Sequence, residues 1–503
     1  MTARRAQQQT NDADLVAISV AVVLLFAATT ALTQSDGDLF AHIAFGREIL
    51  TRQAIPDASV LGFAPAAALP LVAPAWGSAA ILAMLDRMGG LTMVAAFTAV
   101  LAGATHGALA SLLKRHRVDS VALLLASMLG VVLVSSHWLA RPHAFSLATS
   151  ALLIILLDRG TWKAAAAIPA LFVLWTNLHG GWLFGIIVLS AWTLGTIVEH
   201  LLDWPSAAAR PWQPPALALA LSLPATLANP YVLALHKAVL ASLADASIGR
   251  VINEYQPPSF RNPSDLVFFV LLALTVLLMV RARRWPPLPW LFVMLLTTAF
   301  ALRAGRNISL FGVTAWPLLT LHLAPEVSPW LRRFSVSASQ GASPNDVRAC
   351  APAGRWSAAV FALLLLLGAM GGRVAGATLI DGRVDPRRFP VEAARRLRAD
   401  SISGSLLTTW TWSGYVPYAW HGRRTFFDPL SFSARTLDSF GTMLLAQPGW
   451  RGELDAHAIE WVMVPASVPL GDSLRHDAAW STWHEDSTAL VLHRVAATTG
   501  AQQ

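Results

Sequence analysis

Apolar stretches of about 20 residues recur along this chain, and that is the length a helix needs to cross the hydrocarbon of a bilayer. They fall at 15–33, 91–113, 121–139, 144–158, 163–178, 182–203, 214–229, 265–281, 286–302, 306–323 and 356–375. Only 13% of the 503 residues are charged and 55% are hydrophobic, whereas a soluble domain carries about a quarter charged residues. Lipid offers no partner for backbone N–H and C=O groups, so apolar runs of this length must cross as helices. The expected fold is an α-helical polytopic membrane protein with about eleven transmembrane helices. Several runs are short for a full crossing, which implies tilt or local thinning of the bilayer.

The loops between these runs carry the charge. The formal net charge is +8, and nearly all the basic residues are Arg. Arg4/Arg5, Lys114-Arg115-His116-Arg117, Arg159/Lys163, Arg210, Arg281/Arg283/Arg284 and Arg332/Arg333 fall on one side if the 73–88 stretch does not span. That stretch is short and holds Pro74, Asp86 and Arg87, so it suits a helix lying in the interface. The positive-inside rule then makes the basic side cytoplasmic, with the N-terminus inside and the C-terminus outside. The first run has the outline of a signal peptide but no small-residue cleavage site near Thr33, and reads as a retained helix. Arg- and Ala-rich, Lys-poor usage points to a bacterial inner (plasma) membrane protein. No basic face on a soluble module suggests nucleic acid. The single cysteine, Cys350, allows no intrachain disulfide and suggests no Cys-based metal site. The expected organisation is a cytoplasmic tail at 1–14, a membrane domain at 15–375 and an extracytoplasmic domain at 376–503. The outer loop 34–90 of the membrane domain would carry interfacial helices, and 324–355 would form a flexible cytoplasmic linker.

The outer side collects the residues with chemical potential. Asp36-Gly37-Asp38 directly follows the first run, and its carboxylates could bind a divalent cation (Mg or Mn) or orient an acceptor group. The alternative is a solvated turn. Residues 39–50 have helical apolar spacing and end at Ile55-Pro56-Asp57, with His42 four residues after Asp38 on the same face. That pair could share a metal or a proton, or His42 could cap the interface. Arg141, His143, Asn177, His179, Arg303 and Arg306 sit at outer helix ends. Charged groups at membrane depth line a wet site or pair with each other, and Arg suits a phosphate clamp. For each Arg taken singly, snorkelling to lipid headgroups is the alternative. Gly180-Gly181 permits either a close backbone approach or a tight turn. The 229–265 loop holds Asn229-Pro230-Tyr231, a short surface helix at 235–243, and Glu254 as a candidate second acid or base. The many Trp residues near run ends read as an interfacial aromatic belt.

Beyond residue 376 the pattern changes. Helices at 389–398 and 435–445 alternate with strands at 405–410, 424–427, 459–465 and 490–494, which describes a small α/β domain. It contains no Gly-rich phosphate loop and no nucleophile elbow.

A first span followed by an outer-loop acidic motif and an interfacial helix resembles the GT-C class of membrane glycosyltransferases. Asp36-Gly37-Asp38, His42, Gly46, Arg141-Pro142-His143, Asn177-Leu178-His179-Gly180-Gly181, Asn229-Pro230-Tyr231 and Arg306-Asn307 look like a bacterial group of GT-C-like proteins, over most of the chain. The C-terminal Trp410-Thr411-Trp412-Ser413-Gly414-Tyr415, with Arg423/Arg424 and Asp428, is reminiscent of the Trp-Trp-Asp-Tyr-Gly region of oligosaccharyltransferases. The family's Asp is absent there, with Ser413 nearby, so peptide recognition is not implied. The resemblance implies a polyprenyl-phosphate-linked sugar donor and a glycan, lipid or protein acceptor on the outer side. Asp36 or Asp38 would serve catalysis or metal binding. Catalytic candidates are Asp36, Asp38, His42 and Glu254. Substrate-binding candidates are Arg141, His143, Asn177, His179, Tyr231, Arg303, Arg306 and Asn307, with the donor phosphate near Arg303/Arg306. The rival readings are a lipid or solute transporter, and a non-catalytic subunit of an envelope polysaccharide system. A transporter would favour inverted repeats with paired broken helices, which the sequence does not display.

Overall fold

A computed structural model describes residues 37–64, 71–135, 137–205, 210–244, 253–282, 285–335, 366, 373–374, 377–378 and 382–495. The expected tail 1–14, the run at 15–33, Asp36, Cys350 and nearly all of the 356–375 run lie outside the described residues, as do Arg283 and Arg284. The chain forms two compact units, one of residues 1–32 and 92–380, the other of 33–91 and 381–503. The first outer loop, grouped by sequence with the membrane block, thus folds with the C-terminal segment.

The first unit is helical. Helix α1 (Gly37–Arg52) belongs to the second unit, and α2 (Trp76–Arg115) passes from one to the other. Inside α2 the helix breaks at Gly89 and Gly90. Gly90 has φ 66° and ψ −164°, a region open essentially to glycine alone. The break separates the expected 73–88 helix from the expected 91–113 span. The remaining helices of this unit are α3 (Ser120–Ser135), α4 (His143–Arg159), α5 (Trp162–Leu178), α6 (Trp182–Leu201), α7 (Gln213–Ala225), α8 (Leu233–Ala244), α9 (Pro263–Arg281), α10 (Leu288–Arg303) and α11 (Ile308–Ser335). Each matches an expected run or, for α8, the short helix of the 229–265 loop, except that α11 continues to Ser335, into the stretch expected as a flexible linker. A two-stranded antiparallel ribbon, β1 (Arg373–Val374) and β2 (Ala377–Thr378), follows. Among the described residues three helices, within Trp76–Arg115, Trp182–Leu201 and Gly305–Trp330, are long and apolar enough to cross a membrane. Val121–Ser135, Trp162–Leu178 and Leu288–Arg303 are shorter apolar helices.

Their chemistry suits lipid. Trp175, Trp192, Phe172, Phe268 and Phe311 fill the interior, while Leu277 and Val280 stand 64% and 82% exposed. An apolar surface of that kind is a liability in water. Hydroxyls within the helices bond back to the preceding turn, as Thr98 does to the Val94 carbonyl at 2.9 Å and Thr297 to Val293 at 2.8 Å.

The two ends of the first unit differ. At one end the Asp158 carboxylate, buried near the C-terminus of α4, accepts from Arg115, from Arg210 at 2.9 Å and contacts His116 Nε2 at 2.8 Å. The Arg210 guanidinium also lies over Trp192 and Trp290, 5.5 and 5.8 Å from the ring centres. Three loops assigned by charge to one side therefore meet there. His143 opens the same helix, roughly 22 Å away at the helical rise.

The second unit is a mixed sheet with helices on both faces. Strands β3 (Ser405–Thr408), β4 (Ile459–Val464), β5 (Trp480–Glu485) and β6 (Leu490–Arg494) lie in the order β3-β4-β6-β5. β3 runs parallel to β4; β4 with β6, and β6 with β5, run antiparallel. Side chains alternate between faces. Leu407, Val462, Val464, Leu490 and Leu492 pack on α14 (Ala434–Leu444), α15 (Trp450–Ala456) and α16 (Pro469–Arg475). Leu406, Met463 and Val491 face α12 (Val391–Ala399), α13 (Trp410–Ala419) and Phe40 of α1. The helices expected at 389–398 and 435–445 are present. Of the expected strands, 424–427 is reduced to a bridge between Gly62 and Thr425, and 405–410 stops at Thr408 because Thr409 caps α13.

Helix α1 carries Asp38 in its first turn and Arg52 in its last, each opposing the local end of the helix dipole. Its apolar residues are buried rather than exposed on one side: Phe40 meets Phe389, Tyr415 and Tyr418 with ring centres 4.9, 5.3 and 4.8 Å away. Arg47 donates to Asp86 at 2.7 Å and to the Tyr418 carbonyl at 2.8 Å, joining α1 to α2 and α13.

Residues 61–64 extend this fold as an extra rung. The Thr425 N–H donates to the Leu61 carbonyl and the Phe63 N–H to the Thr425 carbonyl, both at 3.0 Å. Asp428 is buried beside this rung. Ser59 Oγ donates to its carboxylate, and the Leu430 N–H does so at 2.9 Å. Burial outweighs these donors and pushes the Asp428 carboxyl up to about 6. A carboxyl whose folded pKa exceeds its unfolded value adds stability in acid, and that contribution is lost as pH rises through about 6. Melting curves between pH 4 and 7 are expected to show the second unit losing stability as pH rises toward 6, with little further change above it. Asp428→Asn, which keeps the shape, should flatten that dependence, and a wild-type slope in the variant would assign it elsewhere.

Candidate functional site

Each unit carries one part of the sequence-predicted residues. In the first unit, the structure gathers Arg141, His143, His179, Glu254 and Arg306 at the end opposite Asp158. His143 heads α4 and is buried, its Nε2 3.3 Å from Ser309 Oγ. Its Nδ1 is buried with no hydrogen-bond partner among the described residues. His137 and His179 flank it, with ring centres 5.2 and 5.7 Å away.

His179 ends α5 in extended backbone. Its Nδ1 accepts the Gly181 N–H at 3.2 Å and lies 2.7 Å from Ser146 Oγ. The indole N–H of Trp175 donates to the same hydroxyl at 2.7 Å. With Nδ1 accepting, a neutral His179 carries its proton on Nε2. A Cβ on Gly181 would lie 2.3 Å from Ser146 Oγ. Close approach, and not the turn alone, therefore requires that glycine.

Two short 3-10 turns complete the cluster. Asn253–Tyr255 places Glu254 Oε1 3.2 Å from Arg141 Nη1 and the Tyr255 ring 4.4 Å from the Arg306 guanidinium. Gly305–Asn307 positions Arg306, tied to the first turn by the Gly305 N–H donating to the Gln256 carbonyl at 2.9 Å. Arg306 has no carboxylate partner among the described residues, and its guanidinium chemistry suits an anion.

Other candidates serve the backbone. Asn177 Nδ2 donates to the Val173 and Ala228 carbonyls at 2.8 and 2.7 Å. Asn307 Nδ2 donates to the Phe300 carbonyl at 2.9 Å near the end of α10. Asn229 Oδ1 accepts the Tyr231 N–H at 2.8 Å, which makes Asn229-Pro230-Tyr231 an Asx turn. Arg303 is exposed in the last turn of α10. Sequence reasoning missed His137, Ser146, Tyr255 and Ser309. Ser146 had a legible signal, three residues after His143 on the same helix face.

In the second unit, Asp38 opens α1 with His42 one turn on, half-buried. The indole N–H of Trp410 reaches Asp38 Oδ1 at 3.5 Å. Gly37 lies so close to α13 that a Cβ would stand 2.3 Å from the Thr411 carbonyl oxygen, and one on Gly414 2.2 Å from the Gly37 carbonyl oxygen. The acidic motif and the Trp-rich motif thus pack directly on each other. Ser413 is buried and donates to the Trp410 carbonyl at 2.6 Å. A hard cation needs several oxygen ligands. Among the described residues no three His, Cys, Asp or Glu side chains come together as a metal group. Asp36, the motif's other carboxylate, lies outside the described residues, and Asp38 by itself offers too few oxygens for a cation.

No family model and no curated protein matches the chain. Solved structures do. An archaeal oligosaccharyltransferase, AglB from Archaeoglobus fulgidus, in complex with an inhibitory peptide and a dolichol-phosphate, is 9% identical with a TM-score of 0.53, covering 89% of this chain and 69% of that one. The Archaeoglobus fulgidus oligosaccharyltransferase tethered to an acceptor peptide gives 9%, 0.54, 89% and 68%. ArnT from Cupriavidus metallidurans in the apo state is 15% identical with a TM-score of 0.50, over 96% of this chain and 98% of that one. At these identities the likeness establishes the fold, and it is that of the GT-C membrane glycosyltransferases, as the sequence resemblance implies.

Proposed function

We propose that this protein is a membrane glycosyltransferase. It moves a hexosyl or pentosyl group from a polyprenyl-phosphate donor to an extracytoplasmic acceptor in cell-envelope glycan or glycolipid synthesis. The observation that carries the reading is the cluster of Arg306, the Glu254-paired Arg141 and the buried His143, at one end of a bundle of GT-C fold. Arg306 and Arg141 would hold the donor phosphate, whose charge favours guanidinium recognition. The acceptor hydroxyl oxygen attacks the anomeric carbon, the bond from that carbon to the phosphate oxygen breaks, and polyprenyl phosphate leaves. The acceptor proton is assigned to Asp38 on the resemblance of Asp36-Gly37-Asp38 to the GT-C acidic motif. Glu254, held by Arg141, is better suited to keeping that guanidinium in place than to acting as a base.

In this reading the Asp158 end is cytoplasmic, the Arg141 end extracytoplasmic, and the chain crosses a bacterial inner membrane about eleven times with its N-terminus inside. Likeness of the fold to AglB, solved with a dolichol-phosphate, supports a lipid-phosphate donor.

The test is reconstitution in nanodiscs with a radiolabelled polyprenyl-phosphate sugar and delipidated envelope acceptor. Transfer to acceptor supports the proposal. Solute movement across liposomes without transfer would replace it with a transporter. Arg306→Ala is expected to weaken polyprenyl-phosphate binding about ten- to a hundred-fold, the loss of charge-assisted hydrogen bonds. Scintillation proximity with labelled lipid measures this, and unchanged affinity would remove Arg306 from the clamp.

A further inference from the structure

We infer that Trp410 is a positioning residue for Asp38: its indole N–H fixes the direction of the carboxylate, and the Trp-rich motif serves the acidic motif of the first loop. This rests on the role proposed above for Asp38, but the contact itself does not.

The two motifs stand more than 370 residues apart in sequence, yet they form one structural element. Helices α1 and α13 meet with backbone against backbone, because Gly37 and Gly414 each occupy a space that any Cβ would fill. Such an approach leaves little freedom for sliding or rotation. It sets the first turn of α1, with Asp38, beside the first turn of α13, with Trp410.

Trp410 is itself held. Its ring packs against Phe427 and Phe432, with centres 4.6 and 5.1 Å away. Its carbonyl is bonded by the Ser413 hydroxyl at 2.6 Å. An indole offers one donor and no acceptor, so it recognises a carboxylate in one sense only. A donor on a braced ring restricts the carboxylate without a charge of its own, and Asp38 remains a base. Ser413 stands near where the resembling motif carries an acid, and here it is buried and turned back onto the Trp410 carbonyl. The chemistry of this motif is directed inward, at its own helix and at Asp38.

Removing the donor frees the orientation of the Asp38 carboxylate. Trp410→Phe keeps the stacking and loses the N–H. Benzothienylalanine at position 410 is the closer control, because sulfur replaces the N–H within the same bicyclic ring. For both, kcat is expected to fall about ten-fold with KM little changed.

A double-mutant cycle of thermal stability, Asp38→Ala with Trp410→Phe in the full chain in nanodiscs, reads the contact without any turnover. Non-additive stabilities and a lowered kcat at unchanged KM are the expected results. Additive stabilities, or a wild-type kcat in the benzothienylalanine variant, would overturn the assignment while transfer by the wild type stands. Coupled stabilities with no transfer by the wild type would instead retain the contact, overturn its catalytic purpose and remove the glycosyltransferase reading.

Discussion

Asp38→Asn is expected to abolish glycosyl transfer while leaving the protein folded. The substitution removes one negative charge and almost no volume. Its amide oxygen can still accept the Trp410 N–H, so the packing of α1 on α13 should survive. What is lost is a basic oxygen for the acceptor proton. General-base contributions are typically about 10²- to 10⁴-fold, and a loss in that range is the expected outcome. Wild-type melting with no measurable transfer is the signature. Asp36 lies outside the described residues, and Asp36→Asn is the companion variant. An active Asp38→Asn enzyme beside an inactive Asp36→Asn one would pass the role to the first carboxylate of the motif.

Asp158→Ala is expected to be the most destabilising single change in the helical unit. The Asp158 side chain is 1% exposed and is the common acceptor for Arg115, His116 and Arg210. Arg115 is 42% exposed and can return to water, so its pairing contributes little. Arg210 is 13% exposed and enclosed by Trp192 and Trp290, and it cannot. Removing one partner of a buried pair leaves an uncompensated charge and costs about 3–5 kcal/mol, here toward the lower figure. Thermal unfolding in detergent measures it. Asp158→Asn should cost less, because an amide still accepts from Arg210. A variant that melts with the wild type would mean that the three basic loops are held by packing alone.

The helices of the first unit were legible because their signal is local. Runs such as 182–203 and 286–302 are apolar over the length of a helix, and Trp182–Leu201 and Leu288–Arg303 follow them closely. The charge grouping puts Arg115, His116 and Arg210 on one side, and in the fold these three meet on Asp158. The association of 33–91 with the C-terminal segment was not legible. It depends on the approach of Gly37 to Thr411 and the rung of Leu61 on Thr425, contacts with no local signature. The stretch 424–427 reads as a strand from its composition. In the fold it is a short crossing between Leu61 and Leu406, and it turns at Asp428. Strand β5 escaped notice because Trp480–Glu485 mixes polar and aromatic residues at a sheet edge, where no face is wholly apolar.

At the site, sequence position pointed to Arg141, His143, His179 and Arg306 because each sits at a helix end on one side. It could not separate these from Asn177 and Asn307, whose amides are bonded to backbone carbonyls. Helix-end polar residues that bind ligand and those that cap the chain look alike until their partners are seen.

The central claim is that the Arg141–Arg306 end of the helical unit holds a polyprenyl phosphate. Native mass spectrometry of the protein released from detergent, beside Arg306→Ala prepared identically, tests it most directly. The account predicts a co-purifying polyprenyl phosphate that is lost in the variant. Bulk phospholipid alone, unchanged by the substitution, would contradict it.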